Sequence, residues 1–181
     1  MKQKILVVVD MQNDFVDGSL GTKEAVAIVP SVCKKIQDAK ADGALIFATK
    51  DTHSSNYLET REGQFLPVPH CIKGTDGWQI NRDVAAVLED AVIVEKYSFG
   101  SLILPDAIAE ALQIRNIALK DTEIEIIGLC TDICVISNAL ILKARFPETD
   151  IKTDASCCAG VTPQKHHAAL ETMRSCQIEV M

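Results

Sequence analysis

The sequence predicts an α/β protein: three layers, α/β/α, around a central, mostly parallel sheet of about six strands. Three observations lead there. Short β-branched apolar runs alternate with amphipathic stretches along the whole chain, the pattern of strands joined by crossover helices. The first run, residues 5–9, is apolar without interruption, as a strand covered on both faces must be. No Ser/Gly linker, low-complexity tract or internal repeat divides the 181 residues, so a single domain over 1–181 is expected.

The elements follow in order. After the strand at 5–9, Ile28, Val29, Val32, Ile36 and Ala39 recur at helical spacing, and Gly43 closes that helix. Residues 44–49 read as a second strand and 91–94 as a third. Pro105 precedes a helix over 106–115 with Ile108, Ala111 and Leu112 on one face. Residues 123–127 make the fourth strand, followed by a helix from about 132 to 146. A strand at 151–153, a helix over 162–175 and a last strand at 178–180 complete the set. Right-handed crossovers would put helices on both faces. Residues 52–82 fit neither period and hold His, Pro and Gly. Loops beyond about 15 residues in compact domains are usually functional.

Bulk properties exclude several classes. The net charge of −7 and the lack of any Lys/Arg run argue against nucleic acid, whose phosphates need a basic face. The run at 5–9 is too short for a secretory signal, and no stretch approaches the ~20 apolar residues of a membrane span. Seven cysteines, an odd number without such a signal, point to free thiols and a cytoplasmic location.

In open α/β sheets ligands bind beyond the carboxyl ends of the strands. Asp10 follows the first strand, Asp51 and His53 the second, Glu95 and Lys96 the third, and residues 128–134 the fourth. Acid, amine, thiol and metal-type ligands therefore converge on one edge of one sheet. Cys134 lies about two residues into a helix if Thr131 or Asp132 is its N-cap. A helix N-terminus and a nearby ammonium both lower a thiol pKa, and Asp10 could exchange its proton. Helix position by itself fits a buried packing thiol equally well.

These residues carry a resemblance. GLCTDICV, from Gly128, is similar to the nucleophile motif of nicotinamidases and related isochorismatase-like cysteine hydrolases. VVVDMQNDFVDGSLG resembles that family's first strand and aspartate loop, VIVEKYSFGS its lysine segment, HCIKGTDGW its histidine segment, and CCAGVTPQKHHAAL the start of its last helix. The five run in family order over nearly the whole chain. The resemblance implies an isochorismatase-like fold with Rossmann-like strand order. It implies that Cys134 attacks a carboxamide to give a thioester, that Asp10 shuttles the proton and that Lys96 holds both. The oxyanion would rest on the backbone N–H groups of Cys130 and Cys134, with a cis peptide before Cys130, and Leu129 would line the substrate site. Isochorismatases proper cleave a vinyl ether and lack the cysteine, so Cys134 implies amide or related acyl chemistry.

Asp51, His53 and His70 resemble the family's metal ligands, and oxygen with imidazole suits zinc, iron or manganese. The fourth ligand is usually a third histidine, but none occurs between His53 and His70. Glu59 and Glu62 are the candidates, Glu62 preferred for its distance from His70. The plain alternative is a capping aspartate with two solvated loop histidines. Phe15 matches an aromatic that packs on a pyridine ring. Pro67 stands where a second aromatic is usual, leaving Tyr57, Tyr97 or Phe99 to replace it. Asp14 is read as a solvated carboxylate rather than a partner of Lys96, and Trp78 as packing. His166 and His167 read as a solvated helix face, and Cys33, Cys71, Cys157, Cys158 and Cys176 as packing or surface thiols.

Three functions compete: an amidase on a small planar carboxamide, with nicotinamide first; the same triad on an aliphatic amide, carbamoyl or ureide substrate; and a non-catalytic thiol protein sensing oxidants through Cys134. The expected partners are a small-molecule carboxamide and further copies of the chain in a homo-oligomer, with no nucleic acid and no membrane.

Overall fold

The structure, a computed structural model, describes residues 2–181. Its strands are β1 (Gln3–Val9), β2 (Leu45–Asp51), β3 (Val92–Lys96), β4 (Thr122–Leu129), β5 (Asp150–Ala159) and β6 (Glu179–Val180). They form one parallel sheet in the order β3-β2-β1-β4-β5-β6. The helices are α1 (Asn13–Val16), α2 (Lys23–Ala41), α3 (Arg61–Phe65), α4 (Arg82–Val87), α5 (Ile103–Ile114), α6 (Ile136–Arg145) and α7 (Pro163–Ser175). Helices α2 and α4 pack together, and α5, α6 and α7 form a second group. Right-handed crossovers place these groups on opposite faces. The expected three-layer α/β/α fold is present.

The apolar run of β1 is buried from Ile5 through Val9, because both faces of a central parallel strand are covered. Val32 and Ile36 of α2, Ile108 and Leu112 of α5, and Leu142 of α6 supply the covering side chains. No helix of the described residues is long and apolar enough to cross a membrane.

The strands stay parallel, but the order of their addition reverses at β1: β2 and β3 are added on one side and β4 to β6 on the other, and a crevice opens at the carboxyl ends of β1 and β4. Gly128 brings these ends together. Its φ is +119°, and a Cβ there would run into the backbone of Val9. Only glycine tolerates both conditions.

Several elements differ from the sequence reading for local reasons. Helix α5 begins at Ile103, before Pro105, because first-turn N–H groups have no intrahelical acceptor and a proline costs little there. Strand β5 extends to Ala159 rather than stopping at residue 153. Asp154 and Ser156 break its apolar run, but Ser156 bonds Asp154 Oδ1 through both N–H and hydroxyl where the register with β4 shifts. The helix expected from residue 132 opens as a π-helical turn, Thr131–Val135, with Cys130 as its N-cap, and only then becomes α6. Thr131 and Asp132 therefore sit inside the turn and do not cap it. Residues 52–82 fold into a 3-10 turn, Tyr57–Glu59, and the short α3, both below the length at which periodicity shows.

Ile124, fully buried in the middle of β4, tests the core. Truncating it to alanine should lower unfolding stability by about 2–5 kcal/mol. In urea denaturation the midpoint should fall with an unchanged m-value.

Candidate active site

Three strand ends deliver three side chains to one point. Asp10, at the end of β1, has a left-handed backbone (φ +47°). Thr49 Oγ1 donates to Asp10 Oδ1 at 2.7 Å. The other oxygen, Oδ2, lies 2.7 Å from Lys96 Nζ, yet accepts no well-angled hydrogen bond from any described group. Lys96, the last residue of β3, also donates to Asp51 Oδ1 at 2.9 Å, to Ser98 O at 3.1 Å and to Cys134 Sγ at 3.4 Å. The structure thus brings Asp10, Lys96 and Cys134 together, all buried.

Electrostatics corrects one expectation. Cys134 was expected to be acidified, but burial, with the Asp10 carboxylate adding to it, pushes its thiol well above the ordinary value despite Lys96. Burial also raises Asp10, against the pull of Lys96 and with Asp51 reinforcing the rise. Burial opposes the charge on Lys96, but Asp10, Cys134 and Asp51 outweigh it and keep the ammonium protonated. The resting state is a neutral thiol beside an aspartate more basic than usual, and a proton passing from sulfur to Oδ2 meets a fixed cation. A buried, neutral thiol is unsuited to oxidant sensing, which favours exposed thiolate.

Asp51 joins this group to a second one. Its Oδ2 lies 2.9 Å from His53 Nε2 and 3.7 Å from His70 Nε2. Glu62 Oε1 is 3.8 Å from His53 Nε2 and 3.7 Å from His70 Nε2. One donor atom from each of Asp51, His53, Glu62 and His70 lies within 4.8 Å of all the others. Glu59 is exposed and lies outside this group. The residues fit a divalent cation: two imidazoles, two carboxylates and a preset tautomer. His70 Nδ1 lies 2.8 Å from Val68 O, so Nδ1 carries the proton and Nε2 presents a lone pair to the cluster. Burial works against a charge on His53, but Asp51 and Glu62 outweigh it and raise its pKa. His53 and His70 are largely buried, so they are not solvated loop residues.

Both groups open into one cavity of about 250 Å³, below the ~300–1,000 Å³ of drug-sized sites. Phe15 lines it and lies 5.4 Å from the His70 ring. Leu129, Cys130 and Cys134 form the wall on the β4 side, and the Leu129–Cys130 peptide is cis. Of the three substitute aromatics only Phe99 faces the cavity. Tyr57 packs edge-on to both His53 and His70, and Tyr97 is exposed beside Glu95.

The sequence reading missed some residues here. Gln12 donates to Asp51 O and accepts from Asp51 N, at 2.8 and 2.7 Å, clamping β1 to the β2 end. Leu66, Val161 and Lys165 also line the cavity. Nothing in local pattern marks them, because they come from loops and a helix start far apart in the chain. Asp14 bonds neither Lys96 nor solvent alone: its carboxylate accepts from Cys71 N at 2.7 Å and Ser19 N at 3.3 Å. His166 is not merely solvated either, since Nδ1 pairs with the buried Thr131 hydroxyl at 2.8 Å.

The sequence matches the isochorismatase domain over residues 4–181. The chain belongs to the isochorismatase-like superfamily, in its nicotinamidase-related branch. A nicotinamidase/pyrazinamidase of Mycobacterium tuberculosis is 27% identical over 189 residues, covering 98% of each chain. The pyrazinamidase of Pyrococcus horikoshii, solved in complex with zinc, superposes with a TM-score of 0.82 at 30% identity, over 99% of this chain and 98% of that one. The N-carbamoylsarcosine amidase of Thermoplasma acidophilum superposes with a TM-score of 0.77 at 25% identity, over 98% and 95%.

The His166–Thr131 pair carries a pH signature. Burial first, then His167, lowers the His166 pKa from its ordinary 6.5, with Asp132 opposing. The folded state therefore binds this proton less readily than the unfolded one, and stability should fall as pH drops from 6.5 through the lower folded value. Replacing His166 with Gln should flatten that part of a denaturation-versus-pH profile.

Proposed function

We propose that the protein is a cysteine amidohydrolase that converts a small carboxamide, nicotinamide first among them, to its carboxylate and ammonia. One observation carries the reading: a single buried ammonium touches the Cys134 sulfur and the Asp10 carboxylate at the base of a small, mostly apolar cavity. The nicotinamidase and pyrazinamidase relatives support it.

Asp10 Oδ2 takes the thiol proton as Sγ attacks the carboxamide carbon. The oxyanion that forms is held by the N–H groups of Cys130 and Cys134, each such donor being worth ~3–4 kcal/mol of barrier. Asp10 returns the proton to nitrogen, the C–N bond breaks and ammonia leaves a thioester on Cys134. Asp10 next takes a proton from water, whose oxygen attacks the thioester. The carboxylate departs and the thiol re-forms. Lys96 stays protonated throughout and offsets the charge that moves between sulfur and carboxylate.

Asp51, His53, Glu62 and His70 would hold a divalent metal, with zinc, iron and manganese the candidates. When bound, the ion supplies a Lewis-acidic anchor for a ring nitrogen or similar donor. Phe15 and Phe99 would flank a planar substrate, with Leu129 beneath it. We further place the chain in the cytoplasm as one hydrolase domain over 1–181 that assembles with copies of itself.

A second reading keeps the triad and changes the substrate to a carbamoyl compound bearing a carboxylate. Lys165 favours it, because this exposed side chain lines the cavity and offers a cation to a substrate carboxylate. The N-carbamoylsarcosine amidase neighbour agrees with it.

Purified protein should release ammonia from nicotinamide in preference to aliphatic amides and N-carbamoyl amino acids. The reverse preference selects the second reading, and no release from any of them overturns both. Cys134→Ala should abolish turnover, while Asp10→Asn and Lys96→Ala should each cost about 10²–10⁴-fold. Protein purified without added ions should contain metal by elemental analysis, and His53→Ala should lose it. Chelation should lower the melting temperature, since a ligand at 100 times its Kd stabilises by about 2.7 kcal/mol. Metal-free wild type with full activity would contradict the metal assignment.

A further inference from the structure

The Lys96–Cys134 contact is long-range in the sheet. β2 and β1 lie between β3 and β4, so about 14 Å of sheet separates their ends at ~4.8 Å per step. Strand pairing alone does not fix how closely the ammonium approaches the sulfur. We propose that Asn138 does, as a positioning residue that ties the nucleophile turn to the loop carrying the lysine's remaining acceptor. The proposal rests on the reading of Cys134 as nucleophile.

Asn138 is the third residue of α6 and is fully buried. Its side chain spends every bond on these two segments. Nδ2 donates to Cys134 O at 2.8 Å and to Phe99 O at 3.3 Å. Oδ1 accepts from Ser101 N at 2.9 Å. The loop so held, residues 97–101, includes Ser98, whose carbonyl accepts from Lys96 Nζ, and Phe99, which lines the cavity. The same loop lies directly on α6, since a Cβ added at Gly100 would meet Ser137 and Ile141. One amide therefore grips the nucleophile's own carbonyl and, from the other side, the loop that steadies the lysine head and one wall of the cavity. Asparagine is a poor choice for a helix interior, and its buried amide costs stability unless every polar atom is paired. Here all of them are paired, and all with the site.

A positioning role and a purely structural one predict different kinetics. Three variants separate them: Asn138→Ala removes all the bonds, Asn138→Ser keeps a hydroxyl able to donate to the carbonyl four residues back, and Leu142→Ala cuts a buried α6 residue away from the site. Each is assayed where circular dichroism shows it fully folded. Asn138→Ala should lower kcat at least ~10-fold with KM within ~3-fold, the sign of an interaction realised in the transition state. Asn138→Ser should recover part of that loss, and Leu142→Ala should keep kcat within ~2-fold while lowering the melting temperature. The rate of Cys134 alkylation by iodoacetamide, read at that residue by tandem mass spectrometry of its peptide at fixed pH, needs no substrate. It should fall at least ~5-fold in Asn138→Ala, whichever amide the wild type hydrolyses. A kcat loss no larger than that of Leu142→Ala, or an alkylation rate unchanged or raised, overturns the proposal. Wild-type protein that releases no ammonia while the alkylation effect stands would instead count against the hydrolase reading alone.

Discussion

The Lys96 ammonium is the interaction on which the site is built. It is buried at the end of an edge strand and is surrounded by Asp10, Asp51, Cys134 and a backbone carbonyl. A lone charge in such a place would cost several kcal/mol. It is tolerated because two carboxylates and a sulfur, delivered by three other strand ends, converge on it. The same convergence explains the unusual left-handed turn at Asp10 and the glycine at 128, which let β1 and β4 approach closely enough for their side chains to share one cation.

Chemistry follows from the balance of charges around that cation. Two carboxylates and one ammonium leave the cluster short of positive charge, so burial and Asp10 keep Cys134 protonated, and the aspartate is more basic than it would be in water. The arrangement differs from an isolated acidified thiol at a helix N-terminus. The helix begins as a wide π-turn, and in the proposed mechanism Cys134 depends on the neighbouring Asp10 as base instead of on a low resting pKa. Asp51 belongs to both halves of the site, one oxygen toward Lys96 and the other toward His53. The histidine cluster and the triad are therefore a single electrostatic unit. A change of charge on either side reaches the other through one carboxylate.

Much of this was legible in the sequence. The run at 5–9, the alternation of strand and helix patterns and the carboxyl-end rule are enough to place Asp10, Asp51, His53, Lys96 and Cys134 on one edge. The five motif resemblances then suggested roles for them. Glu62 could be preferred over Glu59, but only on spacing. What a strand end carries is written locally, because a buried parallel strand is a short apolar run and the next residue is a strand end by definition.

Other features were not local, and no pattern could hold them. The length of β5 past residue 153 depends on a side chain bonding its own strand at a register shift. The exclusion of Tyr57 and Tyr97 from the cavity, and the admission of Phe99, depend on how loops 52–82 and 97–101 fold back over the sheet edge. The direction of the Cys134 pKa was read wrongly because burial is a sum over neighbours from four strands, whereas a helix N-terminus is visible in a handful of residues. Sequence determined which groups would meet. Tertiary packing decided how tightly, with which walls and in which protonation state, because desolvation and hydrogen-bond geometry exist only once distant segments exclude water from between them.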